Sequence, residues 1–163
     1  MIDAEVLAAA EALLALGRAQ GLRLGTAESC TGGLIAGALT AIAGSSDVVE
    51  AGFMTYSNEA KTAMLGVPAD LFPTVGAVSD EVAAAMAVGV LDRLPRIDLA
   101  VSVTGIAGPG GGSDAKPVGL VHFGIARRGR PVATVHEVFP GDRAGVRRAT
   151  VVKALALLTA AMA

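Results

Sequence analysis

Two side chains raise a chemical question before any other feature does: a serine, Ser29, and a lysine thirty-two positions later, Lys61. Ser29 sits in Thr26-Ala27-Glu28-Ser29-Cys30-Thr31-Gly32-Gly33, a short apolar-to-polar run that ends in two glycines and passes into an apolar helical pattern. That order predicts a strand, a tight turn and a helix. Backbone N–H groups and the dipole at a helix N-terminus favour negative charge. A hydroxyl placed there is a candidate nucleophile with part of its oxyanion site supplied. Serine is also a favoured N-cap, and position alone favours that plainer role. The Gly-x-Ser-x-Gly signature of a nucleophile elbow is absent. His122 and His136 both fall inside predicted strands and read as strand residues, partly exposed or locally hydrogen-bonded, so no serine–histidine triad is expected.

Lys61 is the better base. It precedes Met64 by three residues and Leu65 by four in a short predicted helix, which puts its stem on an apolar face. Burial would lower its pKa, and a neutral amine can take the proton of a serine hydroxyl. Ser–Lys pairs are a recognised variant of the triad logic. The ordinary alternative is a surface lysine that keeps its charge in water.

Three further stretches carry possible contacts. The turn Gly105-Ile106-Ala107-Gly108-Pro109-Gly110-Gly111-Gly112 follows a predicted strand, with Thr104 at its mouth. Thr104, Gly105 and Gly108 could cradle a phosphate or let a ligand approach the backbone; a mobile loop is the alternative. It matches neither a P-loop nor a dinucleotide fingerprint. Arg143 and Arg147 lie one turn apart at the start of the last helix, on the stripe that continues through Val151, Leu155, Leu158 and Met162. Inward-facing cations there suggest an anion partner: phosphate, carboxylate, or a neighbouring acidic side chain. Glu28 could pair with an arginine, orient a lysine, or accept from loop amides. No His/Asp/Glu cluster has ligand spacing along the chain, so neither metal nor cofactor is expected.

These residues need a scaffold. Asp3 to Gln20 reads as a helix with Val6, Ala10, Leu13, Leu14 and Gly17 on one stripe and Gly21 as its stop. A strand from Leu22 to Ala27 and a helix from Thr31 to about Ile42 follow. Next come a loop over Ala43–Ser46, a strand from Val48 to Tyr56 and a helix from Asn58 to Leu65. Residues Pro68 to Val78 read as irregular. Ser79 caps a long helix to about Leu94. Asp98 to Thr104 is a strand; Val118 to Ala126 and Pro131 to Phe139 form a hairpin; Asp142 caps a final helix to about Met162. This alternation predicts an α/β fold, a layered α/β/α sandwich whose mixed sheet contains one antiparallel hairpin, in one domain spanning 1–163.

Composition narrows the class. The 163 residues are 53% apolar with no Trp and one Tyr, so the core is built of small aliphatics. The formal charge of −2 offers no basic footprint for nucleic acid. A lone cysteine, Cys30, excludes an internal disulfide and fits a reducing compartment. The acidic start Met-Ile-Asp-Ala-Glu differs from a signal peptide, and no membrane span is expected, so the expectation is a cytoplasmic protein. Leu155, Leu157 and Leu158 in the very apolar last helix suggest surplus apolar surface and a homo-oligomer.

In order along the chain, several motifs resemble the C-terminal domain of the competence/damage-inducible CinA family, the nicotinamide-nucleotide amidohydrolases. They are Thr26 to Ile35, Gly44-Ser45-Ser46, Thr55-Tyr56-Ser57-Asn58-Glu59-Ala60-Lys61, Leu65-Gly66-Val67, Gly76-Ala77-Val78-Ser79, Val103 to Gly111, Lys116-Pro117-Val118-Gly119 and Gly141-Asp142-Arg143. The sequence departs from the family pattern at Ala43, at Val49-Glu50-Ala51-Gly52 and at Ser113-Asp114-Ala115, none of which touches the serine or the lysine. The resemblance is to the stand-alone form. It implies hydrolysis of the carboxamide of nicotinamide mononucleotide to nicotinate mononucleotide and ammonia, in pyridine nucleotide recycling. It implies Ser29 as nucleophile and Lys61 as base, with Tyr56, Thr104 and Arg143 close by and Arg143 in substrate or catalytic support. In that scheme amides near Cys30, Thr31 and Gly32 stabilise the oxyanion, and the glycine-rich turn, Arg143 or Arg147 takes the phosphate. A non-catalytic nucleotide- or protein-binding module of the same fold is the competing expectation, and hydrolysis of a different amide a weaker one.

Overall fold

The computed structural model describes residues 1–163. Helix α1 (Ala4–Gln20) opens the chain, capped by Asp3, whose carboxylate accepts from Val6 N at 3.1 Å. It buries Val6, Ala10, Leu13, Leu14 and Gly17, the five residues of the predicted stripe, and ends at Gly21 in the left-handed region with φ 66°. Strand β1 (Leu24–Glu28) is buried along its whole length. After it come helix α2 (Leu34–Thr40), strand β2 (Val49–Met54), helix α3 (Asn58–Leu65) and a single-turn helix α4 (Leu71–Thr74), inside the stretch read as irregular. Helix α5 (Asp80–Arg93) leads to β3 (Leu99–Gly105), β4 (Leu120–Arg127), β5 (Ala133–Val138) and the last helix α6 (Arg143–Ala161). Ser79 and Asp142 are the N-caps of α5 and α6, accepting from Val82 N and Gly145 N.

The five strands lie in the order β2-β1-β3-β4-β5. β1 runs parallel to both β2 and β3, while β3–β4 and β4–β5 are antiparallel. The sheet is mixed with a terminal hairpin, and helices cover both faces. One core unites α1, α2 and α6 with the sheet through Leu13, Leu99, Phe123 and Leu155; a second, smaller one joins α5 and α3 through Leu65, Met86, Val90 and Ala100. This is the layered α/β/α arrangement expected from the element order.

Two expectations change. Helix α2 starts at Leu34 rather than Thr31, because Gly32 (φ 62°) and Gly33 (φ 97°) adopt left-handed backbone that cannot continue a right-handed helix. Leu155 and Leu158 do not form spare surface: both are buried within the chain, and Leu157 packs on the same core. The exposed apolar side chains instead include Met54 at the end of β2 and Val132, Val135 and Val138 on the outer hairpin, at the two edges of the sheet. No helix is long and apolar enough to cross a membrane.

Candidate active site

The adjacent parallel strands β1 and β3 end side by side, at Glu28 and Gly105. In open α/β sheets ligands gather beyond such carboxyl ends. Ser29 is the first residue past β1. Its amide donates to Val103 O at 3.2 Å, and Glu28 O accepts from Thr55 N at 2.8 Å, so the turn is tied to both neighbouring strands.

Glu28 explains how the turn holds its shape. Its buried carboxylate accepts from Thr31 Oγ1 (2.7 Å), Gly33 N (3.0 Å), Ile35 N (3.0 Å) and Ala36 N (2.7 Å). The free N–H groups of α2, which the sequence suggested for an incoming anion, already have one: the protein's own carboxylate. Both Glu28 oxygens are engaged by this turn, so among the loop-amide, arginine and lysine roles considered for it, the amides are its partners. The turn's outer side is held by Arg147, whose guanidinium donates to Cys30 O at 3.0 Å and Thr31 O at 3.1 Å. Gly32 N donates back to Ser29 O at 3.0 Å. The N–H groups of Cys30 and Thr31 have no acceptor in the protein.

Lys61 arrives from α3. Ser57 caps that helix, accepting from Ala60 N, and Gly66 ends it at φ 71°. Gly89 lets α5 press against the end of α3: a Cβ there would stand 2.1 Å from Leu65 O. This packing buries Lys61 to 1% exposure. Its Nζ lies 3.1 Å from Ser29 Oγ and donates to Thr55 O at 2.9 Å and Tyr56 O at 3.2 Å. No carboxylate pairs with it, and burial lowers its pKa below the ordinary lysine value of 10.5. A neutral amine has two hydrogens and one lone pair. With the hydrogens on the two carbonyls, the lone pair is left for the hydroxyl proton of Ser29.

Cys30 is not a rival nucleophile. Burial pushes its thiol up to about 11, so near neutral pH it stays protonated. Thr104 Oγ1 donates to Ala77 O at 2.8 Å. Arg143 donates to Gly108 O at 2.9 Å and to the Tyr56 hydroxyl at 3.2 Å, bridging the glycine-rich turn and the end of β2. A cleft of about 230 Å³ is lined by Ser29, Cys30, Tyr56, Lys61, Thr104, Gly105 and Arg143. Asn58, Ala77, Val78 and Ala107 also line it, and sequence reasoning did not single them out. All four lay inside motifs quoted for the resemblance, but Ala77, Val78 and Ala107 offer no polar side chain to notice. Ala107 and Arg143 also border a larger adjoining hollow of about 620 Å³, together with Pro109, Gly141 and Arg147. Thr31, Gly32 and Glu28 do not line the cleft; they build the turn that presents Ser29. His122 and His136 lie on the outer hairpin beside Asp80, away from Ser29.

Comparison with known proteins matches this geometry to a group. The family model described as "CinA C-terminal domain" matches residues 7–162. The Escherichia coli K12 protein named nicotinamide-nucleotide amidohydrolase PncC is 48% identical over 97% of this chain and 95% of its own. A CinA-like protein of Mycolicibacterium gilvum is 50% identical over 87% of this chain, which spans 33% of that longer protein; the chain likewise spans 34% of a Symbiobacterium thermophilum relative at 51% identity. The crystal structure of competence/damage inducible protein CihA from Agrobacterium tumefaciens superposes with a TM-score of 0.94 at 49% identity, covering 98% of this chain and 97% of that one.

Proposed function

The chain belongs to the CinA C-terminal domain family, and from that premise we propose that it is an amidohydrolase that converts nicotinamide mononucleotide to nicotinate mononucleotide and ammonia in pyridine nucleotide recycling, using Ser29 and Lys61. One observation carries the chemistry: Lys61 Nζ within 3.1 Å of Ser29 Oγ, with two main-chain carbonyls on its hydrogens and no carboxylate to hold it charged. The name and near full-length match of the Escherichia coli relative support the substrate.

In this mechanism the Ser29 hydroxyl attacks the carboxamide carbon as Lys61 takes its proton. The carbonyl oxygen becomes an oxyanion beside the unengaged N–H group of Cys30, which lines the cleft. Protonated Lys61 passes its proton to the departing nitrogen, which leaves as ammonia. Water, deprotonated by Lys61, then cleaves the acyl-serine ester. Tyr56, Thr104 and Gly105 shape the ring pocket. Arg143, at the border with the adjoining hollow, faces the nucleotide end and offers the phosphate a cation. Arg147 acts by positioning, through the carbonyls of Cys30 and Thr31.

The test is ammonia release from nicotinamide mononucleotide, compared with nicotinamide and its riboside. The nucleotide is the expected substrate, with the others turned over much more slowly. Full activity in Ser29→Ala would overturn the mechanism, and equal rates on all three compounds would overturn the substrate assignment.

A further inference from the structure

The outer hairpin carries a cluster apart from the reaction cleft. The β4–β5 register sets His122 directly opposite His136, and the two rings lie with centroids 5.0 Å apart. Asp80, in the first turn of α5, reaches over them. Its Oδ1 stands 2.7 Å from His122 Nδ1 and 3.7 Å from His136 Nδ1. Donor atoms of all three residues lie within 4.8 Å of one another. A hydrogen-bonded aspartate–histidine pair needs one ring. Here two rings from different strands turn the same nitrogen toward the same carboxylate oxygen.

We propose that Asp80, His122 and His136 bind a divalent transition-metal ion of the zinc, cobalt or nickel kind, with solvent completing its coordination. Two imidazole nitrogens and one carboxylate suit these ions better than calcium or magnesium, which favour all-oxygen sites. Metal–ligand bonds of ~2.0–2.2 Å in a tetrahedral site separate the donors by roughly 3.3 Å. The two Asp80–histidine separations bracket that value and no two donors stand more than 4.8 Å apart, so the side chains need to close only modestly around an ion. His122 is the anchored ligand, its side chain 12% exposed, while Asp80 and His136 are 45% and 59% exposed and leave the ion a way in. The cluster borders a hollow that Glu81 and Lys116 also line. The Lys116 ammonium is turned to Val75 O at 2.5 Å. Spacing along the chain hid the site because its three ligands come from three elements.

The ion braces the fold and takes no part in the serine chemistry. It joins the start of α5 to the hairpin, next to Ala77 and Val78, which line the reaction cleft. The experiment strips the protein with a chelator and titrates it with cobalt(II) chloride, reading the visible absorption and the thermal midpoint. A saturable band at one ion per chain is expected, displaced by zinc, with a rise in midpoint of roughly 5 °C at saturating metal. His136→Ala and Asp80→Asn abolish both signals while retaining the wild-type far-ultraviolet circular dichroism. His136→Gln keeps a polar side chain of similar size and gives the same loss if the alanine variant does not fold. Absence of the band in the wild type, or its persistence in the histidine variants, overturns the proposal and leaves a simple hydrogen-bonded pair.

Discussion

The turn after β1 and the turn after β3 leave the sheet side by side, and they are built differently. Ser29 to Gly33 is short and fastened from within. Glu28 takes three backbone amides and one hydroxyl, and Arg147 takes two carbonyls. The turn from Ile106 to Gly119 is closed at its base by Ile106–Leu120 and Gly119–Ile106 bonds, yet residues 109–115 are exposed, with one local pair between Ser113 and Lys116. Beyond its base it is tied only by Arg143 at Gly108 and by Lys116, which donates to Val75 O. Reacting atoms have to be fixed to fractions of an ångström, so their support is saturated with bonds. A surface that receives a ligand can be left sparse, because the ligand supplies the missing contacts.

Breaking the pair at the fastened turn gives the largest effect. Ser29→Ala and Lys61→Met should each lower amidase turnover by about 10⁴-fold, and the double variant should be no slower than either, since the two act as a unit. Ammonia-release rates test this; multiplicative losses would mean that Lys61 does not serve Ser29. Next comes Glu28→Gln, which turns an amide N–H₂ toward groups that are themselves donors. It should destabilise the protein by about 3 kcal/mol in urea unfolding. A change below about 0.5 kcal/mol would erase the contrast between the turns.

The pH profile sharpens the comparison further. Only neutral Lys61 can accept the proton, so kcat/KM should fall tenfold per pH unit below the lysine's pKa and level off above it. Because burial lowers that pKa, the ascending limb should lie below 10.5. A limb at or above that value would indicate a solvated lysine. The smallest effect belongs to the open turn. Gly110 has no positive φ, and a Cβ added to it would meet nothing within 4 Å. Gly110→Ala should therefore leave stability within about 0.5 kcal/mol and turnover within about twofold.

Much of the scaffold was legible in the sequence, because periodicity and capping are local. The buried stripe of α1, the caps Ser79 and Asp142, and the hairpin all follow from residue types at fixed spacing. The start of α2 is where the pattern misleads: Thr31 and the apolar run continue the helical period, while the left-handed Gly32 and Gly33 interrupt it. At the site, Ser29 and Lys61 could be named from sequence, but the groups that tune the lysine could not. Thr55 and Tyr56 act through main-chain carbonyls, which every residue has. Glu28 was visible as a carboxylate, yet its partners are amides up to eight positions ahead, and only the fold brings them together.

The arrangement around Lys61 also bears on how the enzyme lets go. Uncharged Lys61 gives no ionic hold to a carboxylate, which leaves Arg143 as the cation on the cleft wall. Once ammonia has left, the proposed product carries a new carboxylate beside an amine whose uncharged form burial favours. That favours departure over lingering. Acidification reverses the balance by charging the amine, so inhibition by nicotinate mononucleotide should tighten as the pH drops through the lowered lysine pKa. Turnover at low pH would then fail twice, through a lost base and through a retained product.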